Sequence, residues 1–290
     1  MTSRSIIVII TVLLLSAKAY SMSGFTGISA RDTLRAGQLF RKASGFESRA
    51  EYDSSLFYYQ SAAKEYLRRR YYDKYLECRN RIISVKRNVG YNGGLIAEAN
   101  ENIALSIKKL GNKAAITADC YFQLGNTYSH GRNSDSALIC YETALDIRNK
   151  SGINEYIPVA DIYRNIGIVY LNRGILDSAR NNITMSMNIR RSRFGKNDSN
   201  LAPDYNVLGS IAYHLGQYDT CEYYFGEVAR IREKTSGLMH PLTAKAYNNL
   251  AVLFMEKALW DTALVLNRKA YEIRLAKLPP NHPDIALSLN

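Results

Sequence analysis

The feature that most restricts the fold of this chain is an internal repeat with a period of 42 residues. Steps of 42 from Tyr121 reach three further tyrosines, and steps of 42 from Leu124 reach an isoleucine and two leucines. Six other columns keep the same register over four repeats without an insertion. A period of this size predicts stacked copies of one small structural unit. The tyrosine column consists of Tyr121, Tyr163, Tyr205 and Tyr247.

Each repeat is predicted to contain two α-helices. Tyr121, Leu124, Gly125 and Tyr128 lie at i, i+3, i+4 and i+7, which is the spacing of one apolar stripe on a helix. A polar turn with glycine follows, and Asp135 with Ser136 is expected to cap a second helix. Small residues in both helices allow a close crossing. The repeat is therefore predicted to be a helix-turn-helix hairpin that buries its apolar face by stacking on the next hairpin.

This pattern resembles the tetratricopeptide repeat, whose signature is aromatic-x2-Leu-Gly-x2-Tyr followed by Ala, an aromatic residue and Ala in the second helix. Tyrosine stands here at the usual tryptophan position. The common family period is about 34 residues, whereas this longer repeat, with His-Pro in its connector ("GLMHPLTAKAYNNLAVLF"), resembles the variety in kinesin light chains and many bacterial arrays. The resemblance implies an all-α fold, a right-handed α-solenoid of stacked helix-turn-helix hairpins. It also implies protein or peptide binding in a concave groove, and no catalysis.

The repeat register predicts how the chain is divided. Residues 33–112 are expected to form two divergent hairpins, since "AEYDSSLFYYQSAAKEYL" keeps the spacing from Asp53 to Ala62 that the regular repeats show. Residues 113–282 are expected to form four regular repeats. Residues 283–290 match the start of another first helix, so we expect a truncated further repeat and a longer gene product.

The N-terminus has the pattern of a secretory signal. Arg4 precedes an apolar run from Ile6 to Leu15, and Ala17-Lys18-Ala19 fits a cleavage site. The run falls short of the roughly 20 apolar residues that span a bilayer. We therefore predict a signal peptide over 1–19, a linker over 20–32, and an exported protein, periplasmic or extracellular, of a bacterium. The alternative is an uncleaved segment that anchors the chain to a membrane.

Charge and cysteine content exclude some functions and leave one question open. The net charge of +12 is not accompanied by a groove-reading motif or by interleaved aromatic residues, so no nucleic-acid partner is expected. The four cysteines lack a tight spacing pattern and are interpreted as buried thiols. A bridge between Cys120 and Cys140 is the one pairing left open.

No motif predicts a metal, a cofactor or catalysis. His240 and His282 are one period apart, and successive hairpins lie roughly 16–20 Å apart at 8–10 Å per packed helix pair. Zinc ligands must approach one ion to about 2 Å. Asp119 and Asp161 are also one period apart, which is too far for the two carboxylates to act as an acid–base pair. We therefore expect no metal site, no cofactor, no small-molecule substrate and no enzymatic activity.

The resemblance places the candidate site on the first helices, beside the buried stripe. Amide side chains there pair with an extended peptide backbone, because each offers a donor and an acceptor. Arg164 and Lys245 are expected to meet an acidic side chain or a C-terminal carboxylate. An arginine ladder at the ends of the second helices (Arg148, Arg190, Arg232 and Arg274) is interpreted as structural. The candidate peptide-binding residues are Gln123, Asn126, Arg164, Asn165, Asn206, Lys245, Asn248 and Asn249.

Two functions from different classes fit this pattern. The first is an exported scaffold that binds a protein or peptide in its groove. The alternative is an N-terminal sensory or regulatory region of a larger protein that carries a caspase-like protease or histidine kinase domain. A weaker third hypothesis is a membrane-anchored factor for the assembly of complexes.

Overall fold

The computed structural model describes residues 34–91, 93–151, 156–195, 198–277 and 285, and these residues form helices and turns with no strand among them. This confirms the predicted all-α fold of successive helical hairpins. A short 3-10 turn, Ser199–Leu201, precedes the helix that begins at Ala202. The α-helices are α1 (34–48), α2 (Tyr52–Arg68), α3 (Tyr72–Asn88), α4 (Leu95–Leu110), α5 (Ala115–His130), α6 (Ser134–Lys150), α7 (Tyr156–Asn172), α8 (Leu176–Phe194), α9 (Ala202–His214), α10 (Tyr218–Ser236), α11 (Pro241–Glu256) and α12 (Trp260–Lys277).

The chain divides into two compact units, Met1–Arg132 and Asn133–Asn290. In the first unit, α1, α2 and α3 share a core in which Ala36, Ala62 and Cys78 are buried. Helix α3 also packs against α4 and α5. Four helices, α1 to α4, precede residue 112. Two helical hairpins require four helices. The repeat boundaries themselves remain a prediction.

The second unit contains α6 to α12, and each helix packs against the next one along the chain. Three hairpins are formed by α7 and α8, by α9 and α10, and by α11 and α12. We call α7, α9 and α11 the first helices and α8, α10 and α12 the second helices. The repeat columns supply the core, since the small residues of one column are all buried: Ala137, Ala179, Cys221 and Ala263.

Glycine lets the two helices of a hairpin approach closely, as the repeat pattern predicted. A Cβ atom added to Gly209 would lie 2.5 Å from the ring of Phe225 on α10. A Cβ atom added to Gly167 would lie 2.7 Å from the side chain of Ile183 on α8. Neither distance is tolerated between carbon atoms in van der Waals contact, which prefer about 3.5–4.0 Å. These two positions therefore require glycine for packing.

The helix ends differ from the prediction in one respect. Asn133, not Asp135, caps α6, because the Asn133 side chain accepts a hydrogen bond from the backbone N–H of Ser136. Asp135 lies inside the first turn, where a carboxylate interacts favourably with the helix dipole, and it pairs with Arg173 at 2.8 Å. His240 caps α11 through Nδ1, which accepts from the backbone N–H of Leu242. The repeated His-Pro connector therefore has a structural role here.

The turns after the first helices use a left-handed residue at one repeat position. Gly174 and Gly216 have φ angles of 73° and 68°, and Ala258 has a φ angle of 55° at the next equivalent position. Glycine adopts this region without steric cost, whereas alanine does not. The turn after α11 is therefore strained relative to the turns after α7 and α9.

The predictions for the two ends of the chain fall almost entirely outside the described residues, whereas the prediction for the cysteines can be compared with the structure. The signal peptide (1–19), the linker (20–32) and the truncated repeat (283–290) fall outside the described residues, apart from the buried, helical Ile285. No helix in the described part of the chain is long and apolar enough to cross a membrane. All four cysteines are buried free thiols, as interpreted from their spacing.

Candidate functional site

A cavity of about 280 Å³ lies along the three first helices of the second unit. Four of the predicted site residues line it: Arg164 on α7, Asn206 on α9, and Lys245 and Asn249 on α11. We call this cavity the first-helix cavity. Its other lining residues are Ile168, Ala202, Pro203, Val207, Val228, Arg232, Leu242 and Ala246.

Two of the amide side chains form a pair across neighbouring first helices. Asn249 Nδ2 donates to Asn206 Oδ1 at 2.6 Å. This bond leaves the N–H groups of Asn206 and the carbonyl oxygen of Asn249 for a partner. An extended peptide backbone presents one donor and one acceptor per residue, so the remaining groups match it chemically.

Arg164 is engaged inside the protein. Its Nε donates to Asp204 Oδ1 at 2.6 Å, and its Nη1 lies 3.3 Å from Asp161 Oδ1. The fully buried Asp204 also accepts from Ser186 Oγ at 3.0 Å and from Arg190 Nε at 3.2 Å, and Arg190 Nη2 donates to Asp161. Two arginines and two aspartates therefore balance their charges in one network, which we call the Arg190 network. The guanidinium of Arg164 is consequently not free to recognise a ligand in the way the sequence suggested.

The remaining predicted site residues do not line the cavity. Asn248 Oδ1 accepts from Arg274 Nη1 at 3.2 Å, and the α7 residue Asn165 has an interaction within the protein. Gln123 and Asn126 belong to the first unit, where Gln123 Oε1 accepts from Arg87 Nη1 at 3.4 Å. Their role in peptide binding stays a prediction.

Arg232 is a charged cavity residue that was not among the predicted site residues, because the sequence pattern assigned it to a structural arginine ladder. Arg190 in the same column is fully buried in its network. Arg232 is half-buried, and its side chain makes no hydrogen bond or ion pair with any described residue. Burial lowers the pKa of the Arg232 guanidinium, since a low-dielectric environment disfavours the charged form. The sequence held a signal for this difference: one period after Asp161 and Asp204 stand Pro203 and Ala246.

A second, larger groove of about 840 Å³ lies between α10, α11 and α12. Its apolar lining includes Phe254 and Val265. The carboxylates on its edge are already engaged, because Asp219 and Glu222 both accept from Lys257 Nζ, at 3.0 Å and 2.7 Å. Lys269 also lines this groove, and its Nζ lies 5.8 Å from the centroid of the Tyr247 ring. The first-helix cavity brings together Arg232, Lys245 and the amide pair, so it is the more specific polar site despite its smaller volume.

The four cysteines are buried, and burial disfavours their reactive thiolate form. Burial raises the pKa of Cys78 and Cys120 to about 12, and the pKa of Cys140 and Cys221 to about 11. These thiols are protonated at neutral pH and are poor nucleophiles. No three His, Cys, Asp or Glu side chains in the described residues are grouped so that they could hold a metal ion.

A tetratricopeptide repeat family model matches residues 201–276, which include α9, α10, α11 and most of α12. This part of the chain consists of tetratricopeptide repeats. No curated protein matches its sequence.

Several solved structures share the fold of this chain. BtubC (BKLC) from P. vanneervenii is 19% identical with a TM-score of 0.63, and the match covers 84% of this chain and 94% of BtubC. A putative kinesin light chain from Podosopora anserina with nearly identical TPR-like repeats is 15% identical with a TM-score of 0.57, covering 69% of this chain and 95% of that one. PilW, a widely conserved type IV pilus biogenesis factor, is 12% identical with a TM-score of 0.57, covering 88% and 98%.

These likenesses concern the fold. The neighbours include kinesin-light-chain-like repeats, in agreement with the long repeat of this chain. The fold is a tetratricopeptide-repeat scaffold, which is typical of protein–protein interaction and is generally non-catalytic.

Proposed function

We propose that this tetratricopeptide-repeat chain is a non-catalytic scaffold that binds a protein or an extended peptide along the first-helix cavity. The observation that carries the proposal is the composition of the cavity lining. Three cations and two amides line the cavity, and no carboxylate is among its described lining residues. A peptide supplies the backbone donors and acceptors that the amides require. It also supplies the negative charge that Arg232 and Lys245 attract, since the charge of Arg164 is already balanced by Asp161 and Asp204.

Apolar contacts support the same occupant. Ile168, Val207 and Leu242 line the cavity on three different helices, and Leu242 is exposed. Binding sites for peptides combine such apolar surface with a few polar groups that fix orientation. An extended peptide with one apolar side chain near an acidic one would satisfy both parts of the lining.

We also propose that the chain is exported. The support is the sequence of residues 1–19, with a basic start, a short apolar run and an Ala-x-Ala cleavage site. Expression in a bacterial host, followed by N-terminal sequencing of the periplasmic product, tests this. A mature N-terminus at Tyr20 is expected, and retention of the full sequence in the cytoplasm would contradict export.

A display selection of random linear peptides on the full-length chain tests the binding site. Enriched peptides are then synthesised and titrated by fluorescence anisotropy. We expect Asn249→Ala and Leu242→Asp each to weaken binding by about tenfold, which corresponds to about 1.4 kcal/mol.

The larger groove supplies the matched controls. Tyr223 and Val265 are exposed and line that groove, so Tyr223→Ser and Val265→Ser should leave peptide affinity unchanged. Loss of binding in these controls with no loss in the first-helix variants would place the partner on the other groove. Failure to enrich any peptide would contradict the proposed function.

A further inference from the structure

The Arg190 network and the first-helix cavity occupy equivalent places in successive repeats. One period of 42 after Asp161, Ser186 and Asp204 stand Pro203, Val228 and Ala246. These three residues line the cavity. The two acids that pair with Arg190 and the serine that donates to Asp204 are therefore absent one repeat later. Open space stands beside the retained Arg232.

The two arginines consequently have different surroundings. Arg190 donates to Asp204 and Asp161 and is 1% exposed. Arg232 is half-buried at the cavity wall and has no hydrogen-bond acceptor among the described residues. A guanidinium that is partly removed from water without an acceptor is destabilising, and a carboxylate that reaches it forms strong charge-assisted hydrogen bonds.

Neighbouring groups add to the positive character of the cavity. Lys245 is exposed at the cavity and forms no ion pair with any described residue. Lys245 stands two periods after Asp161, so a cation has replaced the acid of that column. The volume of about 280 Å³ is several times the roughly 30 Å³ share of a water molecule. An acidic side chain fits this space.

We propose that the first-helix cavity binds an aspartate or glutamate side chain of the partner, whose carboxylate pairs with Arg232 in the way that Asp204 pairs with Arg190. The carboxylate of Asp204 reaches Arg190 on a short side-chain stem, and Ala246 lacks that stem at the equivalent position. Lys245 adds attraction at the cavity edge. This inference rests on the proposed peptide-binding function and specifies what the site recognises.

The site can be tested with a small probe that does not depend on a selected peptide. N-acetyl-aspartate amide carries one side-chain carboxylate and has neutral ends, and N-acetyl-asparagine amide is its neutral match. The full-length chain is labelled with ¹⁵N-arginine, and the Nε–H resonances of Arg232, Arg190 and Arg164 are followed during titration. We expect the aspartate probe to shift Arg232 alone, with an affinity at least about tenfold higher than that of the asparagine probe.

Two variants control for the site. Ala246→Asp restores the missing acid and should abolish the response of Arg232 to the aspartate probe. Pro203→Asp restores the other acid and should reduce the response in the same way. If one of the two variants does not fold, the other still provides the test. Circular dichroism verifies that each variant is folded.

Two results would overturn the inference. One is an Arg232 resonance that does not respond to the aspartate probe or responds equally to the asparagine probe. The other is tighter binding of N-acetyl-glycine, whose only carboxylate is C-terminal, which would contradict a side-chain ligand. A positive titration together with a failed peptide selection would retain the carboxylate site and reject the peptide groove, so the two proposals fail separately.

Discussion

Two successive repeats of this protein keep the same arginine and surround it differently. In the repeat of α7 and α8, Arg190 is enclosed by Asp161 and Asp204, and its charge is neutralised inside the protein. In the repeat of α9 and α10, Arg232 stands beside a cavity without a described acceptor. The scaffold is shared, but the acids are not. We infer that the positions where one copy departs from the others indicate where this repeat protein binds its partner.

Removing the acid at the centre of the Arg190 network should have the largest effect. Asp204→Ala leaves two arginines without their shared buried carboxylate, because Asp204 accepts from both Arg164 and Arg190. Breaking a buried ion pair costs about 3–5 kcal/mol. Urea unfolding of the variant and the parent measures this loss of stability.

Asp161→Ala is the matched control in the same network. The Asp161 side chain is 38% exposed, so water can replace it at Arg190 and the expected loss is only about 1 kcal/mol. Equal losses for the two variants would mean that the burial of Asp204 does not distinguish the two aspartates, and the contrast with Arg232 would lose its basis.

The next largest effect tests the claim that the two repeats share one scaffold. Gly167→Ala and Gly209→Ala each introduce a methyl group into a close helix crossing, and each should lose about 1–3 kcal/mol of stability. We expect the larger loss at Gly209, because its new Cβ meets the rigid ring of Phe225. Thermal unfolding measures both.

Asn206→Ala is the control for the glycine variants. Asn206 lies on the same helix as Gly209, but it lines the cavity, and its side chain accepts a hydrogen bond from the Asn249 amide. Its removal should cost about 1 kcal/mol or less. A loss as large as that of Gly209→Ala would contradict the assignment of the two faces of α9.

The smallest expected effect concerns the turns that follow the first helices. Ala258 has a positive φ angle where the two preceding repeats have Gly174 and Gly216. Ala258→Gly should therefore stabilise the protein by about 0.5–1 kcal/mol, and Gly216→Ala should destabilise it by a similar amount. Calorimetry of both variants checks the signs, and destabilisation by Ala258→Gly would mean that this turn is not strained.

The fold was predictable from the sequence because each repeat has the same backbone. Equivalent helix contacts therefore require similar residues in every repeat. The columns at Gly167, Gly209 and Ala179 mark helix crossings, and the helices lie where those columns require. The cap of α6 was not predictable to the residue, since Asn133 and Asp135 are both good capping residues and only the backbone decides between them.

The site was predictable only in part. The first-helix position of Asn206, Lys245 and Asn249 followed from the family resemblance, and the structure brings these residues to one cavity. The column pattern alone made Arg190 and Arg232 look equivalent. Their difference arises from residues 29 positions before and 14 positions after each arginine, and only packing shows that these positions meet.

A double-mutant cycle between positions 232 and 246 tests the central claim most directly. Ala246→Asp, Arg232→Leu and the double variant are compared with the parent by urea unfolding. We predict a favourable coupling of about 1–2 kcal/mol between Asp at 246 and Arg232, because the new carboxylate restores the pair seen at Asp204 and Arg190. A coupling of zero within error, with all three variants shown by circular dichroism to be folded, would contradict the claim that Arg232 lacks an acid that its site can accommodate.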